Sequence, residues 1–177
     1  MLTTTFARLR RAGACTDRYR HLAKALGGVT AWGKDTPIPL LTILSHNGLQ
    51  DALWALVAVP EPEIPLRDWM VRQFACDCAE RVLPILEREY PGDVRPREAI
   101  AVAPRYAVGA SSEAERAAAE SAAWTALGRL AAVAAALAAE SAAVAAAGAA
   151  ELSWQAGRFR ELLSAPDIER ALGGKPC

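Results

Sequence analysis

The chain has 177 residues, 53% of them hydrophobic, and its 20 lysines and arginines balance 20 aspartates and glutamates. That length supports a buried core in one folding unit, and the zero net charge excludes a whole-molecule electrostatic pull toward nucleic acid or an anionic membrane. Cys15, Cys76, Cys78 and Cys177 are too few and too scattered for a disulfide framework, and Met1 to Arg11 holds no apolar signal core, so reduced thiols in a cytoplasmic protein are expected.

Helix punctuation is frequent, and no run alternates apolar and polar residues long enough to build a sheet, so the expected class is all-α. A first short helix covers Phe6 to Ala12 and stops at Gly13. Thr16 caps a second from Asp17 to Leu26, with Tyr19, Leu22, Ala23 and Leu26 on one face and Gly27 supplying the left-handed residue after it. Gly28 to Asp35 reads as a loop. Pro37 and Pro39 suit the first turn of a helix running to His46, and Asn47-Gly48 ends it. Leu49 to Val59 makes another, with Leu49, Leu53, Leu56 and Val57 as its apolar stripe. Residues 60–65, Pro-Glu-Pro-Glu-Ile-Pro, read as a stiff exposed connector between an N-terminal segment (1–59) and a helical bundle (66–177), unless the whole is one continuous folding unit.

Leu66 to Tyr90 carries a helical period in which Met70, Phe74, Cys78, Ile85 and Leu86 face one way. Pro84 is expected to bend or break it, because proline offers no amide hydrogen and crowds the Glu80 carbonyl. Arg95-Pro96 starts the next helix, which reaches Gly109 past a distorting Pro104. Ser112 and Glu115 have capping-box spacing and open a long Ala-rich helix to about Ala147, with Trp124, Leu127, Leu130, Val133, Leu137 and Val144 as one packing seam. Leu130 to Ala150 has the length of a membrane span, but alanine gains little from lipid and Glu140 sits at its middle, so no membrane insertion is expected. Glu151 to Ala165 and Asp167 to Leu172 finish the chain, with Trp154, Phe159, Leu162 and Leu163 as core contacts.

Catalytic and metal chemistry need clusters, and the chain has few. His21 and His46 stand alone, and Cys76 and Cys78, two apart on a helix, point about 200° from one another and so fail to grip one ion. Gly27-Gly28 and Gly33 follow no strand, which removes the phosphate-cradle reading. No metal, no cofactor and no catalytic residue are therefore expected. The informative polar residues are Asp77 and Arg81, four apart beside the core-facing stripe, where they either satisfy one another as a structural pair or hold Arg95 and Arg97 of the following turn. Asp93, Arg95 and Arg97 on that exposed turn are the candidates for contact with a partner. Arginine suits both roles, because its planar fork meets a carboxylate through two hydrogen bonds. The basic segment Arg8 to Lys24 keeps nucleic-acid binding as an alternative.

Asp51-Ala52-Leu53-Trp54-Ala55-Leu56, the run from Phe74 to Pro84, Glu87-Arg88-Glu89-Tyr90-Pro91 and the run from Asp93 to Ile100 together resemble the Imm-5-like immunity proteins. The similarity is strongest from 51 to 109 and extends in style to the Ala-rich helix and Trp154-Gln155, while Arg11 to Leu26 and Asp35 to Leu41 resemble the N-terminal part of longer members. Pro62, Pro65 and Pro104 depart from the family pattern; Asp77, Arg81, Asp93 and Arg95 do not. The resemblance implies a small helical protein, not an enzyme, that neutralises a protein toxin by direct contact. Similar chains carried by phages give a second implication, an inhibitor of a host defence effector.

Overall fold

The computed structural model describes residues 1–98, 100–101 and 141–164. The chain divides into two compact units, Met1–Met70 with Gln155–Cys177, and Val71–Trp154. The expected helix from Glu113 with its seam through Leu137, the Pro104 distortion and the Asp167 to Leu172 segment lie outside the described residues, apart from the last turns of the Ala-rich stretch.

The fold is predominantly helical, with one small addition. Strand β1 (Thr3–Thr4) pairs antiparallel with β2 (Ile38–Pro39), Thr3 opposite Pro39 and Thr4 opposite Ile38. This corrects the expectation that Pro39 lies inside a helix: Ile38 precedes a proline, which disfavours α geometry, and the stretch is extended instead. The Leu40 N–H continues the pairing to the Leu2 carbonyl at 3.1 Å, and Leu2, Thr4, Phe6 and Ile38 are all buried around it.

Helix α1 (Phe6–Arg11) is capped by Thr5, whose hydroxyl accepts from the Arg8 N–H at 3.1 Å. Helix α2 (Thr16–Ala25) starts one residue earlier than expected: Thr16 is already helical and Cys15, at the cap position, makes no side-chain bond. Its end follows expectation. Gly27 takes φ +79°, its N–H reaches the Lys24 carbonyl and that of Gly28 reaches Ala23, the paired bonds that a left-handed residue makes available. Within the expected loop, α3 (Val29–Trp32) makes one helical turn.

Helices α4 (Leu40–Asn47) and α5 (Leu49–Ala55) share Gly48, which takes φ +85° to turn the chain between them, and α4 packs on α2 and α5. The expected α5 stripe is displaced. Ala52, Ala55, Leu56, Ala58 and Val59 are buried, whereas Val57 is exposed, because the α-helix ends at Ala55 and a 3-10 turn over Leu56–Ala58 changes the rotation per residue. After an extended Pro60, residues 61–65 are helical: Glu61–Glu63 forms a 3-10 turn and helix α6 (Ile64–Glu89) begins directly after it. Pro62 and Pro65 fall in first turns, where a missing N–H costs nothing.

Glu63 ties this corner to the first strand, accepting from the Thr3 N–H and the Thr3 hydroxyl, each at 2.6 Å. The buried Thr4 hydroxyl donates to the Ala58 carbonyl at 2.7 Å.

Helix α6 continues through Pro84. Pro84 and Glu80 are both exposed, so water can hydrate the carbonyl that the proline leaves without a donor. Met70 and Phe74 are buried as expected, but Ile85 is exposed and the later buried positions are Cys76 and Leu83, seven apart and roughly opposite the first pair at about 100° per residue. Helix α7 (Ser141–Ser164) runs without interruption past Gly148, in place of two helices separated near Ala147. Phe159, Leu162 and Leu163 are buried in the first unit, where Arg160 also reaches the Ser45 hydroxyl at 3.4 Å.

Candidate functional site

The turn after α6 concentrates the charged residues that the sequence singles out. The Asp93 N–H donates to the Tyr90 carbonyl at 3.0 Å, and residues 95–98 are helical, their first bond running from the Glu98 N–H to the Val94 carbonyl at 3.1 Å. Asp93 therefore sits just before a helix N-terminus, where a carboxylate is favoured by the unpaired N–H groups. It uses that position to hold Arg95. Arg95 Nε donates to Asp93 Oδ1 and Nη2 to Oδ2, both at 2.7 Å, and the Arg95 backbone N–H adds a longer bond of 3.3 Å. The hydrogen bonds to Asp93, reinforced by its charge, raise the Arg95 pKa above its ordinary value, so the guanidinium is a permanent cation.

The pair is unequal in exposure. The Asp93 side chain is 13% exposed and that of Arg95 52%. Of the five N–H donors that a guanidinium carries, two are engaged by Asp93. Val94 between them is 59% exposed, and Tyr90 at the end of the preceding segment is also exposed. Arg97 turns the other way. Its Nε and Nη2 fork onto Glu87 of α6, each at 2.8 Å, and so tie the new helix back to the old one.

Asp77 and Arg81 go to separate partners. Asp77 accepts from Gln73 Nε2 at 2.9 Å, whereas Arg81 donates to Glu151 of α7 and lays its guanidinium over the Trp154 ring, 4.5 Å from the centroid. The sequence places both residues in a polar network but does not reveal Glu151, Trp154 or Gln73 as its members. Glu151 lies 70 residues from Arg81, and no local spacing signals such a pair. Arg97 and Glu87, ten apart across a turn, are within reach of sequence reasoning only as neighbouring charges.

The thiols beside this network are held protonated. Burial, then the carboxylates of Asp77 and Glu80, push Cys76 up to about 11; Cys78 is raised by burial, then by Glu151 and Asp77. A raised thiol pKa disfavours the nucleophilic thiolate and any role as metal ligand. Among the described residues no cluster of His, Cys, Asp and Glu could hold a metal ion, and no helix is long and apolar enough to cross a membrane. His21 Nε2 instead faces the His46 carbonyl at 3.1 Å, which obliges that nitrogen to be the donor.

These residues define a predominantly helical protein in which Arg81, Arg95 and Arg97 are each held by a carboxylate and Arg95 stays half exposed. Residues 69–156 match the model of the Imm-5 like putative immunity protein family, and this segment, which carries all five of the charged residues singled out in the sequence, belongs to that family. No curated protein and no solved structure matches the chain.

Proposed function

We propose that the chain is a non-catalytic immunity protein that acts in the cytoplasm and neutralises a protein toxin by direct contact through the Asp93–Arg95 turn. The observation that carries this reading is the fork between Asp93 and Arg95, set beside the exposed Val94 and within the family-matched segment. Arginine and aromatic residues dominate binding energy at protein interfaces, and an arginine already fixed by its own carboxylate loses little side-chain entropy when a partner docks. The raised pKa of the Cys76 and Cys78 thiols, which disfavours the nucleophilic thiolate, supports a binding role for this segment. A phage-borne inhibitor of a defence effector would use the same surface.

The test is kinetic binding to the toxin encoded beside the gene, with melting followed in parallel. Arg95→Ala and Val94→Asp should each shorten the life of the complex on the order of tenfold, more than any fall in melting from loss of the Asp93 pair accounts for, since truncation at an interface acts mainly on dissociation. A Val94→Asp, Arg95→Ala double variant that still neutralises fully removes this turn from the interface. Nucleic-acid binding through Arg8 to Lys24 draws less support, because Arg18 is paired with Asp51 at 2.8 Å and Arg20 with Asp17 at 3.6 Å.

A further inference from the structure

The sequence holds a single asparagine, Asn47, and glycine follows it. In that order an asparagine can modify itself: the next backbone nitrogen attacks the side-chain carbonyl carbon, and glycine has no side chain to hinder the approach. The pair lies outside the family-matched segment, at a corner of the first unit. Asn47 is the last residue of α4, and Gly48, at φ +85°, turns the chain into α5. The Gly48 N–H donates to the Leu44 carbonyl at 3.1 Å, and the Gly48 carbonyl accepts from the Ala52 N–H at 3.2 Å. An amide must give up its proton before it attacks, and the bond to Leu44 retains that proton.

The leaving group is held as well. Asn47 Nδ2 donates to Asp51 Oδ2 at 2.7 Å and to the Arg18 carbonyl at 3.0 Å. Arg18 closes the knot, from Nε to Asp51 Oδ2 at 2.8 Å and from Nη2 to the Asn47 backbone carbonyl at 2.6 Å. Asn47 Oδ1 is buried and has no donor among the described residues, so no bond there polarises the Cγ carbonyl toward attack. The corner itself lies near the surface: Gly48 is exposed, and so is half of the Arg18 side chain. Bonds at such a site open far more often than the core does.

We infer that Asn47-Gly48 is a self-modification site gated by the Arg18–Asp51 knot, so that this corner records its own opening in an irreversible change of bonds. When the knot opens, solvent takes the Gly48 amide proton, the Gly48 nitrogen bonds to Asn47 Cγ, and the Cγ–Nδ2 bond breaks, Nδ2 leaving as ammonia with one proton from solvent. Water then opens the resulting five-membered imide. Opening at Cγ gives aspartate at position 47, and opening at the backbone carbonyl gives its isomer, in which the chain runs through Cβ and Cγ; one water is consumed, one ammonia is released, and nothing is oxidised or reduced. Neither product restores the knot. A carboxylate at position 47 has no N–H for Asp51 or for the Arg18 carbonyl, sets a second negative charge beside the part-buried Asp51, and stands at the C-terminal end of α4, where the helix dipole disfavours it. The isomer adds a backbone carbon to the turn and breaks the register of the bonds to Leu44 and Ala52.

The test holds the full chain at mildly alkaline pH, folded and also unfolded in urea, and follows the conversion of amide to acid by mass in the tryptic fragment 35–67, which contains the only asparagine. The folded parent should react at least about tenfold more slowly than the unfolded chain, because the rate follows the open fraction. Arg18→Ala and Asp51→Ala should each raise the folded rate on the order of tenfold when compared at an equal distance below each protein's melting temperature. Glu63→Ala, which loosens the Thr3 contact and leaves the knot intact, should not raise it under the same comparison. Asn47→Asp, the product made genetically, should melt below the parent. A folded parent that reacts as fast as the unfolded chain overturns the inference, as does acceleration by Glu63→Ala equal to that by Arg18→Ala. An unfolded chain that keeps its amide, or an Asn47→Asp protein that melts at or above the parent, overturns it too.

Discussion

Replacing Arg81 with alanine removes two contacts with α7 at once, the ion pair to Glu151 and the stacking over Trp154. The side chains of Arg81 and Glu151 are 41% and 30% exposed, so solvent screens the pair and its share is at most about 1 kcal/mol. The guanidinium over the indole adds about 0.5–1 kcal/mol at such a partly exposed site. The total, about 1–2 kcal/mol, corresponds to a fall in melting temperature of roughly 2–8 °C for a chain of this size. Arg81→Lys keeps the charge but loses the planar stack and the fork, and should fall between the two. Circular dichroism at 222 nm gives the melting curves, and a cycle with Trp154→Leu isolates the stacking part. Added salt should erase the Glu151 contribution more than the Trp154 one. A cycle coupling energy indistinguishable from zero, or an Arg81→Ala protein melting within a degree of the parent, refutes the reasoning.

Glu63→Ala should cost about 1–2 kcal/mol by leaving the Thr3 N–H and hydroxyl without their charged acceptor, and Glu63→Gln, which can replace only part of that, should cost less; urea midpoints measure both. For Cys76, a folded-state pKa near 11 against the ordinary 9.0 means that the folded protein holds a proton that the unfolded chain gives up between those values. The resulting stability is complete below about pH 9 and is lost as pH rises toward about 11. Cys76→Ala should flatten the decline of urea stability over that window, and an unchanged decline would count against the burial described for this thiol.

The helices of the first unit are legible in the sequence because their signals are local. Gly27, Gly48 and the apolar face around Leu22 act over four or five residues, and the chain obeys them. Sequence and structure part where two local rules compete. At Ile38-Pro39 the steric effect of proline on its predecessor overrides its suitability for a first turn, and at Pro62 and Pro65 position within the turn overrides composition. Pro84 does not break α6 because the backbone there faces water. The charged turn can be read in part: Asp93 with Arg95 is a contact two residues long, whereas Arg81 with Glu151 depends on tertiary packing that no spacing encodes. The bonding of Asn47 carries no signal at all, since an Asn-Gly pair reads as a turn and its buried acceptor emerges only when Arg18 and Asp51 are brought to it.

The bonds from Thr3 to Glu63 and from Thr4 to Ala58 close loops of 60 and 54 residues, far longer than any helical turn nearby. Closing a loop of that size carries an entropy cost that local helix formation avoids, so this clasp fastens after α1 to α5 have formed rather than before. It also concentrates cooperativity at one place. The strand pairing, both threonine contacts and the burial of Leu2 and Phe6 all lie within six residues, and releasing one loosens the others. The Thr3 amide therefore works as a sentinel: its hydrogen is protected by a bond to a side chain 60 residues away, so its exchange rate reads out the release of this long-range clasp and not the opening of a local helical turn.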